Sequence, residues 1–256
     1  MKWTVSDTGL VSANDEGGPA PDEVHFEVGD WHSFASLTDS KGAQMEHEVS
    51  DRFDSGFESL HRVALNTGVA ELKRQERFGG DRIDRKLTLT TPESFEIGDL
   101  VGRFVFHKEK DAVVSIAGRE IPHRGLNRYY QHRTESATIK NVDGQFTVSV
   151  VDSTLPSGMK LFVYARDEPP DSWVIHVRAL SEHSDAGMLR LFHLPVTHLR
   201  LLDRAVESCT LLKKNLRYIR ERSNIDSRWI PFQYVERTRL NPSDTVQIEM
   251  SGEYND

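Results

Sequence analysis

The densest group of chemically capable side chains runs from Arg119 to Glu135. It holds His123 and His132, Tyr129 and Tyr130, Asn127 and Gln131, and four arginines including Arg124 and Arg133. An arginine fork suits a carboxylate, a tyrosine offers a ring face and a hydroxyl, and amides pair with hydroxyl groups. This chemistry suits an anionic or polyhydroxylated ligand. It is also sufficient for proton abstraction beside a carboxylate, with His as base, Tyr as acid, and Asn or Arg holding the substrate's charge. A polar connection between two sheets accounts for the same residues without a ligand. In that case Gly125-Leu126-Asn127 is a plain turn and the tyrosines anchor it.

A second group is His176 with Arg178, on one face of a strand whose other face carries Trp173, Ile175 and Val177. Such a pair can project into a concave sheet cleft, where a tuned histidine moves protons, or can simply face solvent. The candidate catalytic residues are therefore His123, Tyr130, His132 and His176. The candidate substrate-binding residues are Arg124, Asn127, Arg133 and Arg178. A ligand site requires these side chains to converge on one cleft.

No metal site is expected. His193 and His198 are separated by Pro195, which breaks helical register, and no third ligand has suitable spacing. His25, His32, His47 and His61 are scattered, and His107 sits in a charged hairpin tip. No dinucleotide or phosphate-binding glycine motif and no Gly-x-Ser-x-Gly elbow occurs, so no cofactor is expected. The single cysteine, Cys209, falls on an apolar stripe, where a thiol packs rather than reacts. Arg82, Arg85, Arg103 and Arg119 lie on or beside predicted strands. Buried there, they need carboxylates, and Asp81, Asp84, Asp99 and Glu120 are close in sequence, so the set reads equally as an internal ion-pair network or as an anion site.

The elements that must position these groups are mostly strands. Phe146–Val150 and Val246–Met250 alternate large apolar with small or polar residues, and Ile83, Leu87 and Leu89 share a face that Arg85 interrupts. Leu161–Ala165 is apolar on both faces. Asp143-Gly144 marks a hairpin; with Pro156-Ser157-Gly158 and Pro169-Pro170-Asp171 it predicts a four-strand antiparallel meander over residues 137–180. Asn66-Thr67-Gly68 joins two further strands. The Gly- and Pro-containing stretch 9–22 reads as a loop. Leu199, Leu202, Val206, Cys209, Leu212, Leu216 and Ile219 recur at three- and four-residue steps, which predicts one amphipathic helix near residues 198–222. The expected fold is mainly β: an antiparallel β-sandwich or larger two-sheet stack, as a single domain over residues 1–256.

With 37% hydrophobic and 28% charged residues, the chain of 256 residues has the balance of a folded soluble protein. It has no apolar run long enough to span a membrane and no secretory leader at Met1-Lys2-Trp3, so a cytoplasmic location is expected. A net charge of −8 argues against general nucleic-acid binding. The function expected from fold and side chains is carbohydrate binding or cofactor-independent proton transfer, epimerase- or lyase-like, on a sugar or uronic acid. Sugar mutarotase-like proteins and several polysaccharide lyases share this general architecture, although no motif here matches a family residue by residue. Alternatives are a non-catalytic scaffold, docking or self-associating through sheet edges or the 198–222 helix, and a sensor for a small anion.

Overall fold

The computed structural model describes residues 1–14, 18–30, 33–53, 55–125, 128–132, 134–181 and 237–255. Among them every strand pairing is antiparallel, and two nine-stranded sheets enclose one apolar core. The first sheet runs in the order β1 (Lys2–Val5), β2 (Val11–Asn14), β3 (Glu23–Gly29), β11 (Asp99–Phe106), β18 (Ser172–Ser181), β17 (Met159–Glu168) and β14 (Arg128–His132). Short strands β4 (Phe34–Ser36) and β5 (Ser40–Lys41) extend it from β3. The second sheet runs β13 (Arg119–Pro122), β12 (Val113–Ile116), β15 (Ser136–Lys140), β16 (Gln145–Thr154), β20 (Val246–Asn255), β9 (Arg82–Thr90), β8 (Gly68–Gly79), β7 (Gly56–Leu65) and β6 (Gln44–Phe53). A two-stranded piece pairs β10 (Phe95–Ile97) with β19 (Thr238–Leu240).

Period-two alternation supplies the core. Leu100, Phe104 and Phe106 from β11 meet Phe146, Ile248 and Met250 from the second sheet, all essentially inaccessible to water. Each such side chain gains about 1.5–3 kcal/mol from burial. The expected antiparallel sandwich is therefore present.

Several local expectations change. Residues 9–22 are not all loop, because Val11 and Ala13 are buried on β2 and pair with β1. The turn at Asn66–Thr67 joins β7 to β8 in direct register, as expected. The hairpin before Gln145 also forms, with the Asn141 side chain accepting from the Asp143 and Gly144 amides at 2.9 and 3.2 Å. The meander over 137–180 does not form. β16 belongs to the second sheet and β17 to the first, so residues 155–158 carry the chain across the core and leave two hairpins on opposite layers. The predicted 198–222 helix lies outside the described residues, as do Cys209, His193 and His198. No helix among the described residues is long and apolar enough to cross a membrane.

Candidate functional site

The register of the first sheet draws one line of chemistry across four adjacent strands. His25 on β3 lies opposite Arg103 on β11, Arg103 lies opposite His176 on β18, and His176 lies opposite Tyr164 on β17. Directly paired residues share a face. This is the face away from the core, because Phe104, Ile175, Val163 and Val24 alternate to the inside. A neighbouring line adds Glu27, Val101, Arg178 and Phe162, and Asp99 lies two residues beyond Val101.

This outer face is not an ordinary solvent side. His176 is 6% exposed, Arg178 2% and Asp99 0%, while Tyr164 and His25 are equally sequestered. Buried polar groups demand partners, and most are found. Arg178 forks through Nε and Nη2 onto Asp99 Oδ2, and its Nη1 donates to Tyr164 Oη at 2.9 Å. Tyr164 Oη in turn hydrogen-bonds to His176 Nδ1. Arg103 Nη1 reaches Glu27 Oε2 at 3.3 Å, and Arg166 Nη2 reaches Glu168 Oε1 at 2.8 Å. Three polar atoms of the set remain buried without a partner: His176 Nε2, Asp99 Oδ1 and Arg103 Nε. Unsatisfied buried groups of this kind are rare in folded proteins.

The proton positions follow from donor and acceptor rules. A guanidinium only donates, so Tyr164 Oη accepts from Arg178 and turns its own hydrogen toward His176 Nδ1. Burial, then Arg103 and Arg178, hold the His176 pKa well below its ordinary value, so the ring is neutral. Its single hydrogen therefore sits on the unpartnered Nε2. His25 is also neutral, through burial and then Arg103 and Arg85. Its Nδ1 lies 3.3 Å from the Phe26 carbonyl oxygen, within hydrogen-bond reach, whereas Glu23 Oε2 stands 3.8 Å from Nε2, beyond it; the geometry therefore favours the hydrogen on Nδ1 and the lone pair on Nε2. One imidazole thus presents a donor and the other an acceptor, on either side of Arg103. Burial pushes the Asp99 carboxyl up to about 7, although Arg178 pulls it back.

The candidates read from the sequence divide between two faces. His176 and Arg178 belong to the outer line. His123 lies on the core side: Nε2 is 3.0 Å from Asp167 Oδ1, and its ring meets the Trp173 edge at 5.6 Å. Asp167 also accepts from the Arg124 and Gly125 amides at 3.2 and 2.8 Å, so His123 and Asp167 anchor the segment after β13. The Arg124 side chain is exposed. Tyr130 pairs with Ala165 and packs toward Trp173 in the core, with ring centroids 6.3 Å apart. Of His132 the backbone is described, paired with Val163. Asn127 and Arg133 lie outside the described residues.

The catalytic and substrate-binding sets read from the sequence omit His25 and Tyr164, and they omit Arg103 and Asp99, which the sequence marks only as members of an ion-pair network or anion site. Their signal was available on β11, where Asp99 and Arg103 occupy the face opposite Leu100, Gly102 and Phe104. The arginines found carboxylates, though mostly not those nearest in sequence. Arg85 pairs with Glu76 and Arg103 with Glu27, whereas Arg82 does take Asp84. Among the described residues no group of three or more His, Cys, Asp or Glu is arranged to hold a metal. A separate depression of about 450 Å³ lies on the second sheet, lined by residues including Arg77, Arg82, Asp84, Lys86 and Glu249. Lys86 with Glu249 and Arg82 with Asp84 already neutralise one another there.

No protein-family model and no curated protein matches the sequence. Solved structures do. A galactose mutarotase-related enzyme from Lactobacillus acidophilus superposes with a TM-score of 0.52 and 10% identity, over 99% of this chain and 94% of that one. A candidate aldose 1-epimerase from Escherichia coli K12 gives 0.49 and 9%, over 82% and 68%. A galactose mutarotase-like protein from Lactobacillus casei ATCC 334 gives 0.45 and 10%, over 99% and 100%. At such identity the first likeness establishes the fold, a galactose mutarotase-like β-sandwich.

Proposed function

We propose that the outer face of the first sheet binds an uncharged sugar and transfers protons on it, as an aldose 1-epimerase would. The observation that carries this reading is the pair of neutral imidazoles in opposite tautomers, His25 and His176, on strands two spacings apart. Their Cα atoms are about 10 Å apart. The two oxygens on one anomeric carbon, each with a hydrogen bond, need a donor and acceptor within about 8 Å. The fold similarity to a mutarotase-related enzyme supports the same assignment.

In this mechanism His25 Nε2 takes the proton of the anomeric hydroxyl while His176 Nε2 gives its proton to the ring oxygen. The carbon–ring-oxygen bond breaks and leaves the open-chain aldehyde. A neutral imidazole is a weak acid by itself. As Nε2 loses its proton, Nδ1 takes the one from Tyr164, and Arg178 stabilises the phenolate. Rotation of the aldehyde and reversal of each transfer closes the other anomer and restores every group. Arg103, Arg166 and Arg178 each already face a carboxylate, which favours a neutral sugar over an anionic one.

The test is polarimetry on fresh α-anomers of common hexoses, paired with thermal shifts from the same sugars. The wild-type protein should accelerate mutarotation. His176→Gln and His25→Gln should lose about 10²–10⁴-fold of that rate, while sugar still raises the melting temperature by mass action. A wild-type protein that neither accelerates mutarotation nor shifts with any hexose removes this reading.

A further inference from the structure

Beneath the outer face, inside the core, lies a second polar group that the mechanism does not use. Arg74 and Glu76 of β8 and Arg85 of β9 are fully buried between the sheets, and Glu76 pairs with both guanidiniums. The three sit where alternation calls for apolar side chains. Donors from both arginines cross to the first sheet: Arg85 Nη1 to the His25 carbonyl at 3.0 Å, and Arg74 to the Gly9 and Val24 carbonyls at 2.6 and 3.4 Å, while Arg85 Nη2 stays buried without a partner.

The target is a poorly supported stretch. β3 pairs with β11 along its whole length, but on its other side β2 touches only at Val24 and β4 joins only from Glu27. Among the described residues, no second strand pairs with the backbone at His25. We infer that Arg85, braced by Glu76, is a positioning residue that anchors the β3 backbone at His25 and fixes the orientation and tautomer of that side chain. This rests on His25 belonging to the proposed site. A buried ion pair seldom adds stability over apolar packing, so its retention here fits a geometric role.

The experiment follows the His25 tautomer by long-range ¹H–¹⁵N NMR, with His25→Gln assigning the signal. Arg85→Met removes the donor and leaves Glu76 paired with Arg74; Arg85→Lys keeps a cation beside Glu76 but loses the fork. Leu87→Ala, two residues along the same strand and also facing the core, serves as a destabilised control. The wild type should show one neutral Nδ1–H form between about pH 5 and 8. Both Arg85 variants should show mixed tautomers, and in mutarotation a fall of about 100-fold in kcat with KM little changed. Leu87→Ala should keep the wild-type spectrum. A folded Arg85→Lys with the wild-type His25 spectrum overturns the inference, and a loss in Arg85→Met alone assigns the effect to charge and also overturns it. The NMR result stands even if no sugar proves to be a substrate, so the two readings fail separately.

Discussion

Tyr164 Oη lies between a nitrogen that can only give a hydrogen bond, Arg178 Nη1 at 2.9 Å, and one that accepts, His176 Nδ1. A single hydroxyl therefore decides which side of the His176 ring carries hydrogen. Tyr164→Phe strands the Arg178 Nη1 and the His176 Nδ1 in a buried setting. It should cost about 1–3 kcal/mol in urea unfolding. ¹H–¹⁵N spectra should show His176 losing its exclusive Nε2–H form.

Among the described residues, Asp99 and Arg178 are the most sequestered ion pair on that face. Asp99→Ala leaves the guanidinium buried without its carboxylate and should cost about 3–5 kcal/mol. The double variant Asp99→Leu with Arg178→Met replaces the pair with apolar groups and should recover most of that loss. It should still fail in any sugar thermal shift, which separates the pair's contribution to stability from its contribution to binding.

Stability should fall on mild acidification. His25, His61 and His176 all titrate below their ordinary value of 6.5 in the folded chain, His61 at about 3, mainly because they are buried. Below pH 6.5 the unfolded chain therefore binds more protons at these sites, and stability present above that pH is lost as pH falls toward the folded values. Asp99 acts in the opposite sense. Its raised pKa of about 7 favours the folded state most below its ordinary 3.8, and that contribution fades as pH rises through 7. Three imidazoles outweigh one carboxyl, so the urea midpoint should drop between about pH 6.5 and 4. His61→Gln, which keeps a partner for Ser59, should make that drop shallower.

Two glycines set how closely the sheets approach. A Cβ on Gly252 of β20 would lie 2.6 Å from Phe146 Cζ and 3.0 Å from Phe104 Cε1; one on Gly102 of β11 would lie 2.5 Å from Met250 Cε. Rigid rings give way less readily than an unbranched thioether. Gly252→Ala should cost about 1–3 kcal/mol, and Gly102→Ala clearly less, when melting temperatures are compared.

Alternation was enough to find most strands, because each buries one face against the same core. It also placed His176 and Arg178 together on one face. Pro156-Ser157-Gly158 predicts a hairpin because a short polar connection looks the same whether the next strand pairs beside the last or enters the opposite layer. The cluster at 119–135 misled for a related reason. Sequence neighbours there are divided by the sheet: His123 and Tyr130 face Trp173, while the groups that meet His176 come from three other strands. His25 looked isolated and Tyr164 looked like packing, since cross-strand register is not written in either strand alone. Arg85 did register as an interruption of an apolar face, but its carbonyl partner at His25 was sixty positions away.

The placement of β20 between β16 and β9 has a consequence for assembly. The second sheet consists of two blocks, β6 to β9 and the set β13, β12, β15 and β16, which share no strand pairing until Val246–Asn255 slides between them. Before that insertion each block presents a bare edge: β9, which carries Arg82, Asp84, Arg85 and Lys86, and β16, where Phe146, Val148, Val150 and Val151 make the edge able to recruit another chain. A ribosome-bound or truncated chain stopped short of that strand would thus expose two unpaired borders at once, the apolar one at β16 being the hazard for aggregation of incomplete chains.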